Sequence, residues 1–115
     1  MSNGVSAALE SLVKKGVFAT EEQAIQELLR EYVLRQIAVL RRELGRFERK
    51  YGLRFERFSE YLHERSALLE TNKLSPEQSQ ALGRAIMQEE DDWLDWKVTK
   101  ELLESWLGLR QEVTI

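Results

Sequence analysis

The stretch from Thr20 to Tyr51 limits the possible folds of this chain most severely, because it reads as a single helix of about eight turns. It opens with Thr20-Glu21-Glu22-Gln23, where the threonine hydroxyl can accept from the N3 amide while Gln23 reaches back to the cap, forming a capping box. Apolar side chains then recur at Ile25, Leu28, Leu29, Tyr32, Val33, Ile37, Leu40, Leu44, Phe47 and Tyr51. From Val33 onward they alternate steps of four and three, the spacing of a heptad seam. Gly52, suited to the left-handed conformation that follows a helix, is the expected stop. Such a rod is roughly 47 Å long. A monomer of 115 residues would not bury it comfortably, so the rest of the chain or a second copy must cover it. The expectation is a homodimer joined through the first two helices and the seam, with Ile25, Leu29, Val33, Ile37, Leu40, Leu44, Phe47 and Tyr51 as the dimerisation residues.

The remaining segments also read as helices. Ser6 can cap a short helix with Leu9, Leu12 and Val13 on one face, ended by Lys14-Lys15-Gly16. Residues 1–4 are expected to fray. Phe55, Phe58 and Leu62 stand at i, i+3 and i+7, which predicts a third helix within 53–70 folding back over the long one. Ser75-Pro76-Glu77-Gln78 is a start signal with a serine cap, proline at N1 and glutamine at N3. The helical spacing then runs through Leu82, Ile86, Met87, Trp93, Trp96, Val98, Leu102, Leu103 and Trp106 toward Gly108, with 109–115 left as a tail. Residues 76–107 read as one helix or as two broken near Asp91. Pro76 is the sole proline and no run alternates β-branched residues, so the reading is all-α: a helical hairpin, a long central helix and one or two C-terminal helices packed on it, in a single domain over 1–115.

Charge is distributed unevenly. Residues 35–57 hold eight basic and three acidic side chains, a surplus of +5, while 75–115 hold four basic and nine acidic, a surplus of −5. Arg41, Arg42, Arg46, Arg49 and Lys50 form the alternative, nucleic-acid reading of the long helix. The competing reading is a solvated face paired with Glu43, Glu48 and Glu56 at helical spacing. The acids Glu89, Glu90, Asp91, Asp92 and Asp95 lie among the tryptophans. Consecutive carboxylates spread around a helix and lack the glycine-bearing alternation of a calcium loop, so they read as a solvated face or a protein-binding surface. The three tryptophans read as core or as interface anchors. The expected partner-binding residues are Asp91, Asp92, Trp93, Asp95, Trp96 and Trp106.

Reactive groups are sparse. Cysteine is absent, one histidine (His63) reads as a surface or partly packed side chain, and no glycine-rich phosphate loop occurs. We therefore expect no enzyme activity, no catalytic residues, no cofactor and no metal site. The lack of a long apolar run or a basic-then-apolar leader leads to the expectation of a cytoplasmic protein with no membrane partner.

Two segments carry a family resemblance. Leu12-Val13-Lys14-Lys15-Gly16-Val17-Phe18-Ala19-Thr20-Glu21-Glu22-Gln23-Ala24-Ile25-Gln26-Glu27-Leu28-Leu29-Arg30 resembles the paired helices of ribbon-helix-helix antitoxins. That family reads DNA with a basic, alternating strand ahead of the first helix. Met1–Val5 has neither feature, so a DNA-reading role is not carried over. Arg49-Lys50-Tyr51-Gly52-Leu53 with Phe55 and Phe58, followed by Asp91-Asp92-Trp93-Leu94-Asp95-Trp96-Lys97, looks like a group of small prokaryotic antitoxin-like proteins with an acidic, tryptophan-bearing C-terminal helix. Arg54 stands where that group often has a serine cap. The resemblance implies a non-catalytic binder that neutralises a small protein toxin. The rival readings are a nucleic-acid-binding regulator and a structural helical oligomer.

Overall fold

The structure, a computed structural model, describes residues 3–113. Those residues form four helices and no strand: α1 (Asn3–Lys14), α2 (Glu21–Tyr51), α3 (Phe55–Glu70) and α4 (Pro76–Val113). The fold is all-α. Of residues 1–4, expected to fray, Met1 and Ser2 lie outside the described residues, as do Thr114 and Ile115 of the expected tail. Asn3 and Gly4 are helical, so α1 begins ahead of Ser6 and that serine is not its cap.

Local chemistry sets the boundaries. After α1, the Val17 amide donates to the Leu12 carbonyl and the Gly16 amide to Val13, each at 3.0 Å, with Gly16 at a φ of 76°. That double bond is a Schellman closure, and the left-handed turn it requires suits glycine. At α2 the Gln23 amide donates to Thr20 Oγ1 at 3.0 Å, while Gln23 Oε1 accepts from the Ala19 amide at 2.9 Å. The glutamine thus reaches one residue further back than a standard capping box. Ser75 and Gln78 satisfy each other at the start of α4, at 3.1 and 3.0 Å. Arg54 precedes α3 without a side-chain cap.

Of the two readings of 76–107, α4 takes the single helix, unbroken through the acidic run, and it departs from expectation in passing Gly108 to reach Val113. Within the run, Glu89 and Asp92 are each neutralised by a cation from another helix, which removes the repulsion that would favour a break. Glycine permits a helix to stop but does not compel it, and Gly108 costs about 1 kcal/mol relative to alanine inside a helix.

The chain divides into two compact units. One takes the described residues up to Val39 together with those from Glu104 onward; the other spans Leu40–Leu103. In the Leu40–Leu103 unit, Phe47, Phe58, Leu62 and Trp96 form a buried cluster, with Leu44, Tyr51, Leu53, Phe55, Tyr61 and Trp93 packed around it. Trp96 is its centre. Its ring stacks on Phe47 and on Phe58, each with centroids 5.4 Å apart, and meets Phe55 edge-on at 5.6 Å. The terminal unit buries smaller side chains, Ala24, Val33 and Ile37, and sets Tyr32 edge-on to Trp106 at 5.9 Å.

The heptad seam from Val33 to Tyr51 faces inward within a single chain. Val33, Ile37 and Phe47 are buried, and Leu40, Leu44 and Tyr51 are half-buried. Six of the eight residues expected to dimerise are therefore covered without a second copy. The remaining two, Ile25 and Leu29, are exposed.

Candidate protein-binding surface

The acidic run of α4 shows how a helix sorts neighbouring carboxylates. Residues three apart share a face, so Glu89 and Asp92 point together toward the other helices. Arg65 of α3 grips both carboxylate oxygens of Glu89. Asp92 accepts from Lys50 at 2.6 Å and from the Tyr51 hydroxyl. Partial burial pushes the Asp92 carboxyl upward, but the Lys50 and Tyr51 hydrogen bonds outweigh it and hold the group below its ordinary value. Burial, and secondarily the Asp92 carboxylate, raises the Tyr51 phenol above its usual range. The Glu89 pairing keeps the Arg65 guanidinium firmly protonated.

Glu90 and Asp91 rotate to the opposite side, where both are exposed and neither forms an ion pair among the described residues. They stand amid an apolar row on α4: Met87, Leu94, Val98 and Leu102, with exposures from 45 to 69%. At 100° per residue these four lie within roughly 80° of one another. Beside Glu90 and Asp91, an open groove of about 480 Å³ lies between α3 and α4, lined by Ser59, Leu62, His63 and Ser66 on one side and Trp93 and Leu94 on the other. Trp93 is held in place. Its indole N–H donates to Ser59 Oγ at 2.7 Å, the Ser59 hydroxyl donates to the Phe55 carbonyl at 3.0 Å, and its ring stacks on Phe55 at 5.9 Å.

The residues expected to bind a partner therefore separate. Asp91 and Asp95 are exposed, and Trp93 forms one wall of the groove. Asp92 is engaged with Lys50 and Tyr51, and Trp106 packs on Tyr32. Trp96, at 1% exposure, presents no surface to a partner because the aromatic cluster encloses it. Sequence reasoning placed Met87, Val98 and Leu102 at plain helical spacing, read Glu90 only as part of the acidic run and gave Leu94 no role of its own. One signal was present: apolar residues surround α4 on more than one side, more than a single buried stripe requires.

The basic face of α2 separates as well. Arg46 pairs with Glu43 and lies over the Phe47 ring, and Lys50 is engaged by Asp92. Glu56, expected to pair along the basic stretch, instead accepts from Lys100 of α4 at 2.9 Å. Arg41, Arg42 and Arg49 are exposed and form no ion pair among the described residues. His63 is exposed on the α3 side of the groove. Among the described residues, no three His, Cys, Asp or Glu side chains are grouped to hold a metal ion, and no helix is long and apolar enough to cross a membrane.

Together these features define a four-helix protein whose last helix carries an uncovered apolar row edged with carboxylates. Comparison with protein-family models, with curated proteins and with solved structures finds no match to this chain.

Proposed function

We propose that this chain is a non-catalytic, antitoxin-like binding protein, cytoplasmic and dimeric, that neutralises a small partner protein through α4. The observation that carries this reading is the exposed row Met87, Leu94, Val98 and Leu102, with Asp91 within it and Glu90 at its edge, two carboxylates that form no ion pair among the described residues. Apolar side chains aligned on one helix face, with charge at the rim, match the anatomy of a protein interface. The sequence resemblance of Arg49–Phe58 and Asp91–Lys97 to small antitoxin-like proteins supports the same reading. The exposed Ile25, Leu28 and Leu29 of α2 supply a separate face for a second copy.

The test is co-expression of the affinity-tagged protein with the product of the adjacent open reading frame, followed by pull-down and light scattering. A stable complex with a neighbour that arrests growth when expressed alone supports the proposal. A dimer that captures no neighbour removes the antitoxin role. The second reading, nucleic-acid binding, is favoured by Arg41, Arg42 and Arg49, which are exposed and form no ion pair among the described residues. Its signature is an affinity that falls steeply with salt.

A further inference from the structure

We infer that the α3–α4 groove seats a cationic amphipathic helix of a partner protein, with an apolar side chain entering beside Trp93 and Leu94 and a lysine or arginine reaching Glu90 and Asp91. This inference rests on the binding reading above and specifies the chemistry of the partner.

The groove is built before any partner arrives. Trp93 is fixed by Ser59 and by stacking on Phe55, and Leu62 beneath is buried. A wall that need not be ordered on binding spares much of the entropic cost of association. The dimensions suit a helix better than a small ligand. The row from Met87 to Leu102 extends roughly 22 Å along α4, about four turns of a facing helix, and Leu94 belongs both to that row and to the lining of the open groove. Four apolar residues in register on one side are what the i, i+3, i+4, i+7 anchors of an amphipathic helix pack against.

Charge selects the kind of helix. Of four consecutive acids, the two facing inward already have cations, while Glu90 and Asp91, about 100° apart on the outer side of the helix, have none among the described residues. Of the two cations nearest along α4, Arg84 and Lys97, each six residues away, Lys97 lies over the Trp93 ring at 5.4 Å. Two adjacent carboxylates repel each other and an incoming acidic surface alike, and a lysine or arginine relieves both effects. The same repulsion disfavours a phosphate backbone at this site.

The experiment uses the full chain and two fluorescein-labelled synthetic helical peptides with the same leucine face, one flanked by lysines and the other by glutamates, read by fluorescence anisotropy. Wild-type protein is expected to bind the lysine peptide in preference. Glu90→Lys/Asp91→Lys should weaken that binding on the order of tenfold, and Leu94→Ala should weaken it by removing apolar contact. A control with the same charge change elsewhere, Glu48→Lys/Glu104→Lys, should alter it less than about twofold. Circular dichroism melts confirm that each variant is folded, and Leu94→Ala carries the test if the charge reversal does not fold. Equal losses in the groove and control variants would reduce the effect to net charge and overturn the inference. So would a wild-type protein without preference for the lysine peptide, or self-association that the groove variant abolishes, which would make a second copy the occupant. Neighbour capture by the co-expression assay separates the two proposals. If the groove variant captures the neighbour as well as wild type does, the groove inference fails and the antitoxin reading stands. If the lysine peptide binds the groove but no neighbour is captured, the reverse holds.

Discussion

The two compact units draw on the same two long helices yet bury very different side chains. The Leu40–Leu103 unit encloses Phe47, Phe58 and Trp96 almost completely. The terminal unit encloses Ala24, Val33 and Ile37, and leaves Val17 at 58%, Leu29 at 51% and Ile25 at 45% exposed. Apolar content is not what separates them, since both are rich in leucine, isoleucine and valine. Side-chain size at the inward positions does. A buried aromatic removes 150–250 Å² from water, against a far smaller area for alanine or valine. One unit has a core closed by its own aromatics and carries its exposed apolar residues, Met87, Leu94, Val98 and Leu102, on one face of α4; the other has a core of small side chains and leaves apolar residues exposed on α2.

Substitutions can break or sharpen that contrast. The largest effect is expected at Trp96→Ala, about 3–5 kcal/mol of lost stability by urea unfolding, because the rings around it cannot refill so large a space. A loss below about 1 kcal/mol would mean that the aromatic cluster does not hold the unit together. Ile37→Ala, the counterpart in the terminal unit, should cost about 2 kcal/mol, since the smaller buried side chain leaves a smaller space. A cost equal to that of Trp96→Ala would erase the contrast.

A smaller effect, about 1 kcal/mol at neutral pH, is expected for Asp92→Asn, which weakens the bonds from Lys50 and Tyr51. Asp92 is depressed below its ordinary 3.8 in the folded state, so its contribution is present above that value and is lost as the pH falls through and below it. Acid titration of the melting temperature should show a shallower decline in the variant than in wild type. Gly83→Ala and Gly108→Ala, one in each unit and each with open space for a methyl group, should both stabilise by about 0.5–1 kcal/mol. If Gly108→Ala destabilises instead, α4 does not continue past that residue in solution. The smallest change is expected at Leu94→Ala, within about 0.5 kcal/mol in stability because the side chain is exposed, while partner or peptide binding falls.

Much of the fold was legible in the sequence. Gly16 and Gly52 mark turns because both sit at positive φ, and the Thr20 and Ser75 boxes mark starts because their side chains satisfy the first amides. The site was less legible. The acidic run could be seen, but its division into Glu89 and Asp92 against Glu90 and Asp91 depends on Arg65, Lys50 and Tyr51, all distant in sequence. Trp96 and Trp93, three residues apart, differ in the same way: one is enclosed and the other lines a groove, according to the packing of α3.

The sequence by itself determined that this protein is helical, where three of its helices begin and where two of them turn, because caps, glycines and periodicity act over a few residues. Tertiary structure decided that the Val33–Tyr51 seam is covered by its own chain, that α4 runs unbroken through five acids and past Gly108, and which carboxylates of the acidic run gain a cation. Each of those outcomes depends on a side chain brought in from another helix, and local spacing carries no information about which side chain that will be.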